Sequence, residues 1–129
     1  MRVLLDTHLL LWAVAASHRL PAQARVLLAD PGVEVYCSAA SLWEIGIKAA
    51  LRRADFRVDV RQLRGALPEM DIQELAVTGR HTEAIAGLPP IHRDPFDRML
   101  VAQSMTEPLI LLTNDAVLAQ YWDGVTLVG

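Results

Sequence analysis

With 129 residues, 53% of them hydrophobic and 21% charged, the chain can bury one substantial core and is too apolar to be intrinsically disordered. Its single cysteine, Cys37, excludes an internal disulfide framework, agrees with a reducing compartment, and reads as core in the run Val35-Tyr36-Cys37. The net charge of −3 does not mark a globally basic nucleic-acid binder, and no apolar run approaches the ~20 residues that cross a bilayer.

Short apolar runs alternate with longer helical patterns, which predicts an α/β fold around a mostly parallel sheet. Val3-Leu4-Leu5 is the first strand and lacks polar alternation, as expected when both faces are covered. A helix follows through Trp12, and a second starts at Pro21. Arg2 and the apolar stretch to Ala15 imitate a signal peptide. Asp6 and His8 interrupt that stretch, however, and cleavage would delete a needed strand, so the expectation is an uncleaved cytoplasmic protein. Pro31-Gly32 turns the chain into a second strand, Val33 to Cys37. Ser38 is an N-cap for a helix running to about Arg53, and a further helix covers Val60 to Leu67. Ile72 to Leu75 is a short polar strand suited to an edge. Thr78 opens a helix ending near Gly87, and Asp94-Pro95 opens another. Leu109 to Leu112 is a fully apolar central strand, and a short helix after Asn114 leads to the last strand, Val125 to Val128. With no repeats or linkers, residues 1–129 read as a single domain.

Ligands of open parallel sheets gather at the carboxyl ends of strands, where strand order reverses. Asp6 follows the first strand directly, and Asp115 follows the Leu109–Leu112 strand after Thr113-Asn114. Glu44, two turns into the helix from Ser38, and Asp97, in the first turn after Asp94-Pro95, complete a candidate set. Two unit charges ~5 Å apart repel by on the order of 3 kcal/mol at an effective dielectric of 20, so such a cluster calls for a cation. Oxygen ligands without Cys or His favour Mg²⁺ or Mn²⁺, ions that activate water and stabilise the leaving oxygen of a phosphodiester. Each acid also has a plain structural reading. Asp6 and Asp115 are possible helix caps, Glu44 a partner for Lys48 one turn on, and Asp97 a first-turn acid favoured by the helix dipole. Asp94 reads best as an N-cap, with support of a metal site as its alternative.

Six of the twelve basic residues (Lys48, Arg52, Arg53, Arg57, Arg61 and Arg64) fall in one segment opposed only by Asp55 and Asp59. They form either a phosphate-holding patch, with Lys48, Arg52, Arg53 and Arg57 as RNA contacts, or a solvated helix face. His81 and His92 stand outside the candidate set, because a lone histidine in a helix or loop is usually structural. Trp12, Trp43 and Trp122 read as core or dimer contacts before base-stacking platforms.

Four stretches carry a resemblance: Val3-Leu4-Leu5-Asp6-Thr7, Ser38-Ala-Ala-Ser-Leu-Trp-Glu44-Ile, Asp94-Pro-Phe-Asp97-Arg-Met-Leu-Val-Ala102 and Leu112-Thr-Asn-Asp115. In this order they resemble the PIN-domain proteins, in particular the VapC-like toxins, from the first strand to the last. The resemblance implies a three-layer α/β/α sandwich with strand order 3-2-1-4-5, in which Ile72–Leu75 and Val125–Val128 are the edges. It places the metal-binding and catalytic acids on Asp6, Glu44, Asp97 and Asp115, with Thr7, Thr113 and, less securely, Asp94 in support. It further implies a Mg²⁺- or Mn²⁺-dependent endoribonuclease that acts on tRNA or mRNA and leaves 5′-phosphate and 3′-hydroxyl ends. A cognate antitoxin would place a segment across the groove, the toxin would form a homodimer, and operator DNA would be bound through the antitoxin alone.

A response-regulator receiver domain shares the length and the acidic pocket but needs a lysine after the last strand; the only lysine here is Lys48, inside a helix. A non-catalytic module of the same fold leaves the four acids without a purpose. An RNA-processing nuclease independent of any antitoxin is separated from a toxin only by whether a short neighbouring reading frame encodes a DNA-binding partner.

Overall fold

The computed structural model describes residues 1–51 and 57–129. The elements run β1 (Arg2–Leu5), α1 (Thr7–Val14), α2 (Ala22–Ala29), β2 (Glu34–Ser38), α3 (Ala39–Ala50), α4 (Val60–Ala66), β3 (Ile72–Leu75), α5 (Gly79–Ala86), α6 (Pro95–Thr106), β4 (Ile110–Thr113) and β5 (Val125–Leu127). Two 3-10 turns, Pro68–Met70 and Leu118–Gln120, complete them. The helix expected to reach Arg53 ends at Ala50. Arg52 and Arg53, both candidate RNA contacts, lie outside the described residues. No described helix is long and apolar enough to cross a membrane.

Local chemistry sets where the helices begin. The side chains of Asp6, Ser38, Asp59 and Asp94 each accept a backbone N–H from the first turn of α1, α3, α4 and α6, and Pro95 stands at the start of α6. At α5 the reciprocal cap uses a histidine: the Thr78 N–H donates to His81 Nδ1 at 3.0 Å.

The five strands form one sheet in the order β3-β2-β1-β4-β5, and every neighbouring pair is parallel. The polar β3 is an edge and the apolar β1 and β4 are inner strands, as their composition predicts, while the short β5 closes the other edge. Alternate residues of β1 face opposite layers. Val3 and Leu5 pack with Leu9, Leu10, Ala24, Leu42, Ile45 and Leu63 from α1 to α4, while Leu4 packs with Leu100, Val101 and Leu118 on the other side. Three layers follow, helices on both faces of a parallel sheet. Each fully buried leucine contributes about 2–3 kcal/mol through the apolar surface it removes from water, so the central strands anchor the fold.

Strand order reverses beside β1. The chain moves outward through β2 and β3, then returns by α5 and α6 to lay β4 against the other edge of β1. The carboxyl ends of β1 and β4 are therefore neighbours, with Leu5 in register with Leu112.

Candidate functional site

The Asp6 N–H extends the sheet ladder by donating to the Leu112 carbonyl at 3.0 Å, which sets the first acid beside the end of β4. Asp6 is buried. Its Oδ1 accepts the Leu9 N–H at 2.8 Å, and its Oδ2 accepts the Thr113 hydroxyl at 2.5 Å. The same Thr113 oxygen accepts the Asp115 N–H at 3.0 Å, so one hydroxyl ties the two strand-end acids together. Asp115 caps the following turn by accepting the Val117 N–H on Oδ1 at 2.9 Å. The capping reading of Asp6 is thus correct, whereas Asp115 holds the turn ahead of the last helix, whose cap position is Val117; neither bond competes with a ligand role, because each carboxylate oxygen keeps a further lone pair.

Thr7, one residue beyond Asp6, donates its hydroxyl to Glu44 Oε1 at 2.8 Å and lies 3.0 Å from Ser41 Oγ. Glu44 Oε2 meets Lys48 Nζ at 3.1 Å. The i,i+4 pair expected of a helix surface is present, but Glu44 is only 7% exposed, which gives the contact more weight than a solvated pair. The ammonium of Lys48, a candidate RNA contact, therefore sits on one of the acids.

Asp97 stands in the first turn of α6, whose N-cap Asp94 accepts the Phe96 N–H at 2.8 Å. Burial, then the neighbouring Asp94, and beyond it Glu44 and Asp6 push the Asp97 carboxyl up to about 7, with His92 opposing. Burial also raises Asp6, against the hydrogen bonds from Thr113 and Leu9. Burial is thus the main cause at both acids, and at Asp97 the neighbouring carboxylates add to it.

His92 stands among these acids. Its Nε2 lies 3.3 Å from Asp115 Oδ2 and 3.4 Å from Asp97 Oδ2, and among the described residues these three side chains form the tight group able to surround an ion. Sequence reasoning left His92 outside the set and called the ligands free of histidine. His92 lies in the irregular segment between α5 and α6, where no periodicity reveals which way a side chain turns. The adjacency of His92 to Asp94 and Asp97 was the available signal. Asp6 and Glu44 stand outside this tight group and meet it through their charge on Asp97.

Other readings resolve separately. His81 is buried, with Nε2 2.6 Å from Glu107 Oε2 and Nδ1 accepting from Thr78, and it links α5 to the end of α6. Arg64 reaches Glu74 at 2.6 Å, while Arg57 is exposed beside a cavity of about 440 Å³ shared with Trp12 and Arg19. The described part of the basic segment is thus divided between ion pairs and open surface. Cys37 is core as expected, its thiol pushed up to about 12 by burial. Trp43 is not core. It is 66% exposed and meets Phe96 edge-on at 5.1 Å.

The PIN-domain family model matches residues 3–122, nearly the whole chain, a span within which the four acids fall. This chain belongs to the PIN-domain family. The PIN chain is similar in fold to a chain of VapBC2 from Rickettsia felis bound to a DNA fragment from its promoter. That match has a TM-score of 0.70 at 14% identity and covers 98% of this chain and 97% of that one. A toxin–antitoxin complex from Klebsiella pneumoniae gives 0.66 at 18% identity, covering 96% and 95%. VapBC-1 from nontypeable Haemophilus influenzae gives 0.61 at 16% identity, covering 93% and 91%. No curated protein matches the chain in sequence.

Proposed function

We propose that this PIN-domain protein is a Mg²⁺- or Mn²⁺-dependent endoribonuclease, the toxin of a toxin–antitoxin pair, with residues 1–129 forming one catalytic domain. The observation that carries the reading is the crowding around Asp97, whose carboxyl is raised to about 7 by burial and by Asp94, Glu44 and Asp6. A hard divalent cation fits this donor set, because carboxylate oxygens dominate it and positive charge is what it lacks.

Asp6, Glu44, Asp97 and Asp115 would hold the ion. When bound, it supplies Lewis acidity at the phosphodiester and a more acidic water. The protein's own part is orientation. Thr113 aims Asp6 by donating to Oδ2, Thr7 aims Glu44 by donating to Oε1, and Asp94 fixes the first turn that carries Asp97. Lys48 neutralises Glu44 and stands where a phosphate of the substrate could draw it away.

The partners we assign are messenger or transfer RNA as substrate and a cognate antitoxin as inhibitor, with operator DNA bound only through the antitoxin. Fold similarity to VapBC complexes supports this choice. A homodimer would use the exposed Trp43 and the half-buried Phe96 beside it, where Ala39, Ala40 and Met99 line a cavity of about 450 Å³. Cytoplasmic location follows from an RNA substrate and a protein antitoxin.

The test is cleavage of RNA by the purified protein with Mg²⁺ or Mn²⁺, with EDTA, and after Asp6→Asn or Asp97→Asn. Asparagine at position 6 keeps an oxygen for the Leu9 N–H, so α1 retains its cap. We expect 5′-phosphate and 3′-hydroxyl ends from the wild type and loss of cutting in chelator and in both variants. Undiminished cutting in any of those three conditions removes the proposal.

A further inference from the structure

The His92 ring is held from both sides. The Asp94 N–H donates to Nδ1 at 3.0 Å, and a nitrogen that accepts an N–H carries no proton of its own. The ring proton therefore sits on Nε2, the nitrogen that faces Asp115 Oδ2 at 3.3 Å and Asp97 Oδ2 at 3.4 Å. In this tautomer Nε2 donates to Asp115 Oδ2, stands within ion-pair distance of Asp97 Oδ2, and has no lone pair for a metal.

The backbone carrying the ring is fixed as well. The His92 N–H donates to Tyr121 Oη at 2.7 Å. Arg98 donates from Nη1 to the Pro89 carbonyl at 3.0 Å and from Nη2 to the Ile85 carbonyl at 3.3 Å, and its Nη1 lies 3.4 Å from the same tyrosine oxygen. One guanidinium and one phenol thus anchor the segment between α5 and α6 from its start to the histidine.

We propose that His92 is a positioning residue of the acidic site. It donates its Nε2–H to Asp115 while standing against Asp97, sets the spacing at which the two acids meet a cation, and is not itself a ligand. Tyr121 and Arg98 hold it there. The proposal rests on reading the acids as a cation site. It assigns a task to a side chain whose distances alone would pass for ligation.

Two measurements test it. Proton–nitrogen correlation spectra of the histidine rings, taken without and with Mg²⁺, are expected to show a protonated Nε2 and a bare Nδ1 for His92 in both states. The opposite tautomer, or loss of the Nε2 proton as Mg²⁺ is added, overturns the proposal in favour of direct ligation. Calorimetric titration with Mn²⁺ gives the second reading. His92→Leu is expected to weaken Mn²⁺ binding roughly 10-fold or more, as loss of a partner behind a ligand commonly does, and His92→Gln, which keeps an amide donor of similar reach, to recover most of it. Tyr121→Phe should weaken binding in the same direction by less. Unchanged affinity in His92→Leu, or equal losses in the leucine and glutamine variants, overturns the positioning role while leaving the cation site intact. A wild-type protein that takes up no Mn²⁺ overturns the cation site and the positioning role together. The ring spectra use the native chain, so a variant that fails to fold leaves the first test standing.

Discussion

Asp97→Asn is expected to stabilise the metal-free protein in alkali and to do so far less in acid. Burial and the carboxylates of Asp94, Glu44 and Asp6 raise the Asp97 carboxyl from 3.8 to about 7, with His92 pulling the other way. Folding therefore favours the protonated form. The stabilising contribution is complete below 3.8 and is lost as pH rises through about 7. A rise of that size corresponds to about 4 kcal/mol in full. The side chain is 21% exposed, so water screens the repulsion and about 1–2 kcal/mol is a more realistic penalty. Asparagine keeps an oxygen for His92 and carries no charge, so it escapes the penalty. For 129 residues this amounts to about 4–7 °C in melting temperature. The assay is thermal unfolding of both proteins in EDTA at pH 5 and pH 8.5. The variant should melt higher at pH 8.5 and by a clearly smaller margin at pH 5, where the folded carboxyl still holds its proton. Adding Mn²⁺ at pH 8.5 should then raise the wild type and barely move the variant. A variant that melts lower in EDTA at pH 8.5, or by the same offset at both pH values, refutes the reasoning.

Thr113→Val removes the hydroxyl that donates to Asp6 and accepts from Asp115; the urea midpoint should fall by the equivalent of about 2 kcal/mol, and Thr113→Ser should restore it. Gly124→Ala drives a Cβ into the Trp122 ring and should destabilise by about 1–3 kcal/mol, with a change in tryptophan fluorescence reporting the displaced indole. Neutralising Arg52, Arg53 and Arg57 together should weaken RNA binding and flatten the slope of log affinity against log salt by about 2; an unchanged slope returns the segment to a solvated face.

Several features of the site were legible in residue order alone. Unalternating apolar runs marked Val3–Leu5 and Leu109–Leu112 as central, and the polar character of Ile72–Leu75 marked an edge, because burial on one face or two dictates composition. Asp6 and Asp115 were visible as strand-end acids for the same reason. His92 was not, since its direction depends on the Tyr121 and Asp94 bonds that capture its segment. For Trp43 the sequence left core and contact surface open, because an aromatic at helical spacing says nothing of whether a second surface covers it; its exposure excludes the core.

By itself the amino-acid order determined the alternation of strand and helix, the caps that start α1, α3 and α6, and the ordered acids that mark the PIN family. Each of these is local, settled by the periodicity of burial or by a side chain meeting its own backbone. The tertiary structure alone decided that Glu44 is buried, that burial and neighbouring acids push the Asp97 carboxyl up to about 7, and that His92 stands beside two acids. Those facts depend on distances between segments far apart in the chain, and such distances exist only once the sheet has brought the ends of β1 and β4 together.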